Sequence, residues 1–180
     1  KYTGHIEVTA NGIYYFKATD AAGNFGIAEI VFQNINSDVP FVDLVIESGE
    51  KVILNKHASN TVISPEGRLD IISGGVASST TVCSCGNLLI SSGGIANITT
   101  INSGGTMFVS SGANAVSTVV SSGGTVFVSS GAELGITTLA SGAYIDAASG
   151  AVVNGFSLNE DHTFENDLRI SNAIVENGAG

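Results

Sequence analysis

The side chains able to do chemistry in this chain are mainly hydroxyls, and they recur in columns nineteen residues apart. Ser73, Ser92, Ser111, Ser130 and Ser149 form one column, and Thr80, Thr99, Thr118 and Thr137 form another. Ser84, Ser103, Ser122 and Ser141 form a third. A hydroxyl becomes a nucleophile only beside a base. His5, His57 and His162 lie outside the columns, share no metal-ligating spacing and stand in no nucleophile-elbow context. Asp70 and Asp146 share a repeat position but are four repeats apart, which is about 19 Å in a stack of β-coils. That is too far for a carboxylate pair. Cys83 and Cys85 stand where other repeats carry turn residues. A strained ring, a pair of reduced thiols and simple drift of the turn all fit them, whereas two thiols alone make a poor zinc site. The segment Asp20–Asn24 offers oxygens to calcium, but an Asx-type turn accounts for it. No catalytic residue, cofactor or metal is expected. The columns are left with three roles: hydrogen bonding along a stack, accepting sugars, or binding ice through a flat threonine ladder.

The elements that position these columns follow from the repeat. Residues 64–82, 83–101, 102–120, 121–139 and 140–158 align without insertion. Gly74, Gly93, Gly112, Gly131 and Gly150 hold one position, and Val82, Ile101, Val120, Leu139 and Leu158 close each repeat. A fixed period near twenty residues marks stacked units, each unable to bury its apolar face alone. Apolar pairs two apart, such as Leu69/Ile71, Leu88/Ile90 and Met107/Val109, point to one face of a strand. Ser, Thr, Val and Gly are poor helix formers. The expected fold is all-β: a right-handed parallel β-helix (β-solenoid) of nineteen-residue coils, with two short strands per coil joined by glycine turns. The residue between each apolar pair should point outward, which aligns Asp70, Leu89, Phe108, Phe127 and Asp146. Leu89, Phe108 and Phe127 then form a ladder with a spacing of about 4.8 Å. Such an exposed apolar row is a candidate contact surface, unless an end segment folds over it.

Residues 1–35 alternate at period two around turn signals at Asn11–Gly12 and Asp20–Asn24. The stretch Asn11–Asn24, with the exit Asn34–Pro40, resembles the C-terminal end of a bacterial immunoglobulin-like surface module. Residues 1–35 are therefore expected to be a small antiparallel β piece, either a truncated module of that kind or a hairpin cap. Residues 36–43 read as a linker and 44–158 as solenoid. The first coil is degenerate, its turn slipping by one residue relative to Gly67. Residues 159–180 lose the period and regain charge, so they read as an irregular coil or cap. Because the chain begins mid-pattern, it is expected to be a piece of a longer protein.

A formal charge of −10 argues against nucleic acid as a partner. Residues 71–157 contain no Lys or Arg and only two acids, Glu133 and Asp146. Polysaccharide-cleaving β-helices need clustered charge on one face, so an enzyme is not expected. No run of eighteen apolar residues exists to insert in a membrane.

The stretch Asn102–Val120, repeated at 121–139, resembles the nineteen-residue repeat of AIDA-type autotransporter adhesins. The resemblance covers residues 64–158 well and 44–63 loosely. It implies an extracellular or cell-surface stalk that is structural and adhesive, with O-linked heptose on Ser and Thr in some members. By position, acceptors would come from the Ser and Thr columns. Its partners would be a host-cell or glycan surface, or another copy through self-association. A β-helical carbohydrate-active enzyme, a polysaccharide-binding module and a pure stalk spacer are the competing readings.

Overall fold

The structure, a computed structural model, describes residues 12–19, 22–32, 40–158 and 174–176. It contains β-strands and no helix among those residues. Two compact units divide the chain, 1–40 and 41–180. In the first, Gly12–Thr19 and Phe25–Phe32 pair antiparallel, with Gly12 opposite Phe32 and Thr19 opposite Phe25. The expected strand at Ile6–Thr9 lies outside the described residues.

The second unit is a parallel stack. The coil at 64–82 shows how its residues dictate the path. Ser64 accepts the Gly67 N–H across a tight turn, and Arg68–Ile71 runs as a short strand. Ile72 then accepts the Gly75 N–H at a second corner, and Val76–Val82 returns as a longer strand. That longer strand bends at Ser79, whose φ is +58°. Leu69, Ile71, Ala77, Thr80 and Val82 are buried, and the three-residue step from Ala77 to Thr80 is where the bend interrupts the alternation. The sequence suggested two strands per coil. The bend adds a third corner, and no glycine announces it because Ser79 itself takes the left-handed conformation.

Each coil lies directly on the next. Arg68–Ile71 pairs with Asn87–Ile90, then Thr106–Val109, Thr125–Val128 and Tyr144–Ala147, always nineteen residues on. Lys51–Leu54 completes this six-stranded sheet at one end. The bent strands stack into the other sheet, where Thr61, Thr80, Thr99, Thr118 and Thr137 are successive neighbours. The core is a column of aliphatics and alanines, with Leu88, Ile90, Ala96, Ile101 and Met107 fully enclosed. Thin coils leave no room for large rings, which is why so few aromatics suffice.

The ends differ from expectation in two respects. Phe41–Val42 already pairs in parallel with Ala58–Ser59, so stacking begins before residue 44. In the first coil the slip is two residues, not one: Leu54 pairs with Ile71, seventeen residues on, whereas His57 pairs with Val76, nineteen on. The shortening falls in the turn at 55–56, and the residue matching Gly49 in the left-handed position is Glu66, at φ +64°. At the far end Ile174–Glu176 adds in parallel to Val152–Asn154. The other apolar residues of the tail, Phe164, Leu168 and Ile170, lie outside the described residues.

Candidate functional site

The serine columns and the threonine column separate completely. Ser73, Ser92, Ser111, Ser130 and Ser149 are all exposed at one corner of the coils, and Ser84, Ser103, Ser122 and Ser141 are exposed at the other. Each precedes a residue in the left-handed conformation, mostly glycine: φ is +72° at Gly112 and +74° at Gly123. The serine of one coil leans over the glycine of the next. A methyl built on Gly112 would sit 2.8 Å from Ser92 Oγ, and one built on Gly123 would sit 2.8 Å from Ser103 Oγ. Glycine is favoured here by the positive φ, and a methyl in its place would make the neighbouring hydroxyl turn away. The corners are knitted by backbone bonds as well, with Gly93 N–H donating to Gly112 C=O and Gly112 N–H to Gly131 C=O.

The threonine column points the other way. Thr80, Thr99 and Thr118 are 1% exposed and Thr137 is 0% exposed, so no sugar fits on them in the folded coil. They are withdrawn as acceptors. The sequence already held this signal: each stands two residues before the buried aliphatic that closes the repeat, which puts it on the same face. Thr137 Oγ1 donates to Gly135 C=O at 3.0 Å. The Oγ1 atoms of Thr61, Thr80, Thr99 and Thr118 find no partner among the described residues.

The outer face of the short-strand sheet carries the apolar row. Phe108 is 38% exposed, and Leu89 and Phe127 are half-buried. The rings of Phe108 and Phe127 stack with centroids 5.1 Å apart and planes at 13°, close to the coil spacing. Tyr144 meets Phe127 edge-on at 6.3 Å. At the first end of the row Asp70 shares the outer column with Leu89 and Phe108, as its position suggested, but is covered and only 6% exposed. Arg68 covers it through Nε at 2.5 Å and Nη2 at 3.2 Å, and Lys51 Nζ lies at 2.8 Å. Burial pushes the Asp70 carboxyl up, but hydrogen bonds from Arg68 and Lys51 and their charges outweigh it, so its pKa falls below the ordinary value. The Arg68 guanidinium is raised mainly by its hydrogen bond to Asp70. A depression of about 250 Å³ beside this cluster is lined by Arg68, Asn87, Leu89 and Phe108.

Cys83 and Cys85 are both free thiols, and Cys85 sits at φ +59° where the next coils have glycine. Among the described residues no three His, Cys, Asp or Glu side chains gather to hold a metal ion, and no helix is long and apolar enough to cross a membrane. One exposed apolar set escaped the sequence reading: Ile98, Val116, Val119 and Ile136, at 60, 45, 39 and 67% exposure on the outside of the bent strands. The bend at the third corner displaces the alternation that would have revealed it.

Stacked nineteen-residue coils, with hydroxyls displayed at two corners and an apolar row on one face, define a parallel β-solenoid. Residues 71–124 match the family described as adhesin of bacterial autotransporter system, probable stalk. The chain is also similar to a solved structure of the TibC-catalysed hyper-glycosylated TibA55-350 fragment, at 35% identity and a TM-score of 0.56. That similarity covers 64% of this chain and 48% of the TibA chain, so it spans about half of that structure. No curated protein matches. The repeat region is thus similar in sequence and fold to the stalk segments of autotransporter adhesins.

Proposed function

We propose that this segment acts as a non-catalytic adhesive stalk. Its exposed serine columns accept O-linked sugars, and its solenoid surface makes the contacts with a host-cell or glycan surface or with another copy. The observation that carries this reading is the pair of exposed serine corners, repeated in each of the four coils from 83 to 158. Hyper-glycosylation of the TibA fragment supports the sugar part. The row Leu89, Phe108 and Phe127 supports the contact part, because exposed apolar patches on soluble surfaces mark interaction sites. The hairpin at 12–32 fits the last strands of an immunoglobulin-like module, an arrangement suited to a modular surface protein.

Adhesion of the purified chain to epithelial cells and to immobilised glycans tests the reading. Binding that saturates, and that falls several-fold when Phe108 and Phe127 are both replaced by Ser, is the expected result. A chain that binds neither surface, with or without sugar on its serines, would be a spacer.

A further inference from the structure

The outward row changes character at Phe108. One face of that ring stacks on Phe127, its neighbour one coil on. On the other side the neighbour is Leu89, a smaller side chain than a phenyl ring. A depression of about 250 Å³ opens there, lined by Leu89, Phe108, Arg68 and Asn87. Charge gathers beside it. Lys51, Lys56 and Arg68 are the only Lys or Arg in residues 40–158, and two of the three converge on the single carboxylate of Asp70. The cluster therefore keeps one positive charge in excess, on a chain whose formal charge is −10. Asp70 takes Nε and Nη2 of Arg68, so Nη1 keeps both of its N–H donors. Asn87 spends Nδ2 on the Cys85 carbonyl and keeps Oδ1 as an acceptor.

We propose that this depression binds a carboxylated sugar. The apolar side of the sugar lies on Phe108 and Leu89, where its C–H groups meet the negative face of the phenyl ring. Its carboxylate meets Arg68 Nη1, and a ring hydroxyl donates to Asn87 Oδ1. The proposal rests on the adhesive reading of the solenoid and names the class of glycan that the surface takes. One excess positive charge matches a carboxylate better than a phosphate, which carries about −1.5 to −2. A long polyanion is disfavoured by the net charge of the chain. An acidic peptide finds no backbone edge to extend, because the strands at 68–71, 87–90 and 106–109 are paired on both sides. The volume falls just below that of drug-sized pockets, so a single terminal ring is bound, and weakly.

Titration of the full 180-residue chain with methyl β-glucuronide, followed by NMR at low salt, tests it. Shifts of the Asn87 side-chain amide, Arg68 Nε–H and the Phe108 ring should saturate, while Ile136 on the other sheet stays unmoved. The expected Kd is about 1 mM, which an ordinary ligand efficiency over about 14 non-hydrogen atoms gives. Methyl β-glucoside, propionate and a blocked aspartyl peptide should each bind several-fold more weakly, because each lacks either the charge or the ring. Asp70→Asn removes the competing anion and should tighten glucuronide binding about two-fold, an effect that a purely structural cluster would not produce. Phe108→Ser should weaken binding several-fold. So should Arg68→Gln made together with Asp70→Asn, a pair that leaves no carboxylate uncovered; melting curves check that each variant is folded. No saturable shift, equal binding of propionate or of the peptide, or a Kd unmoved by the Arg68→Gln, Asp70→Asn pair would overturn the proposal. The assay needs no cells. A chain that adheres without binding glucuronide sinks this proposal alone, and glucuronide binding by a chain that adheres to nothing sinks only the adhesive reading.

Discussion

Replacing Thr118 by Val should make the protein more stable. Thr118 is 1% exposed, and its Oγ1 finds no hydrogen-bond partner among the described residues. A buried hydroxyl left unpaired carries a desolvation cost of about 1–3 kcal/mol, and Val keeps the shape while removing it. Exchanging the hydroxyl for a methyl also adds roughly 30 Å² of buried apolar surface, or about 0.8 kcal/mol. Allowing for relaxation of the neighbouring coils, the net gain should be about 1 kcal/mol, a rise in melting temperature of about 2–4 °C for a chain of this size. Thr99→Val should behave alike, and the double variant should nearly add. The same change at Thr137 supplies the control. There the hydroxyl donates to Gly135 C=O, so Thr137→Val forfeits about 1 kcal/mol of hydrogen bonding and should be near neutral. Thermal and urea melts of the variants measure both. A Thr118→Val protein less stable than its parent by 1 kcal/mol or more would refute the reasoning, because the hydroxyl would then be bonded.

Gly112→Ala should cost about 1–2 kcal/mol for its left-handed backbone and somewhat more for the contact with Ser92 Oγ, as read from melting curves. Cys85→Gly should be neutral or stabilise by up to about 1 kcal/mol, because it relieves a left-handed non-glycine at the cost of unfolded-chain freedom. Gly135→Ala should be the most damaging single methyl, since its Cβ would stand 2.1 Å from the Val116 carbonyl oxygen; soluble expression and melting temperature report it. Asp70→Asn should destabilise by about 1 kcal/mol near neutral pH, discounted for the half-exposed Lys51 and Arg68. The folded carboxyl has a lowered pKa. Its contribution is therefore full above the unfolded value near 3.9 and lost as pH falls through the folded one, so parent and variant melts should converge in acid below that value.

The repeat made the solenoid legible because each coil must present the same residue type at the same place to lie on its neighbour. Leu69, Leu88, Met107, Val126 and Ile145 are buried as their spacing required. The outward ladder at Phe108 and Phe127 was equally readable. Period two failed where the chain bends without a glycine: Ser79 takes a left-handed conformation at the third corner, and at the same position in later coils Ile98 and Ile136 turn outward. Thr80 and its column were misassigned for a chemical reason. A hydroxyl suggests solvent, but the isostere of valine packs in a β-core when its position demands it. Asp70 takes the outer column its position required, but its covering by Lys51 and Arg68 was not legible, because the Lys51 pairing appears only once the two-residue shortening of the first coil is known.

Co-expression with TibC followed by peptide mapping in the mass spectrometer is the most direct test of the stalk as a displayed array of serines. Sugar should appear on serines of the two corners, among them Ser92, Ser111, Ser103 and Ser122, with Thr80, Thr99, Thr118 and Thr137 bare. A chain that stays unmodified, or that carries sugar on those threonines, would contradict it.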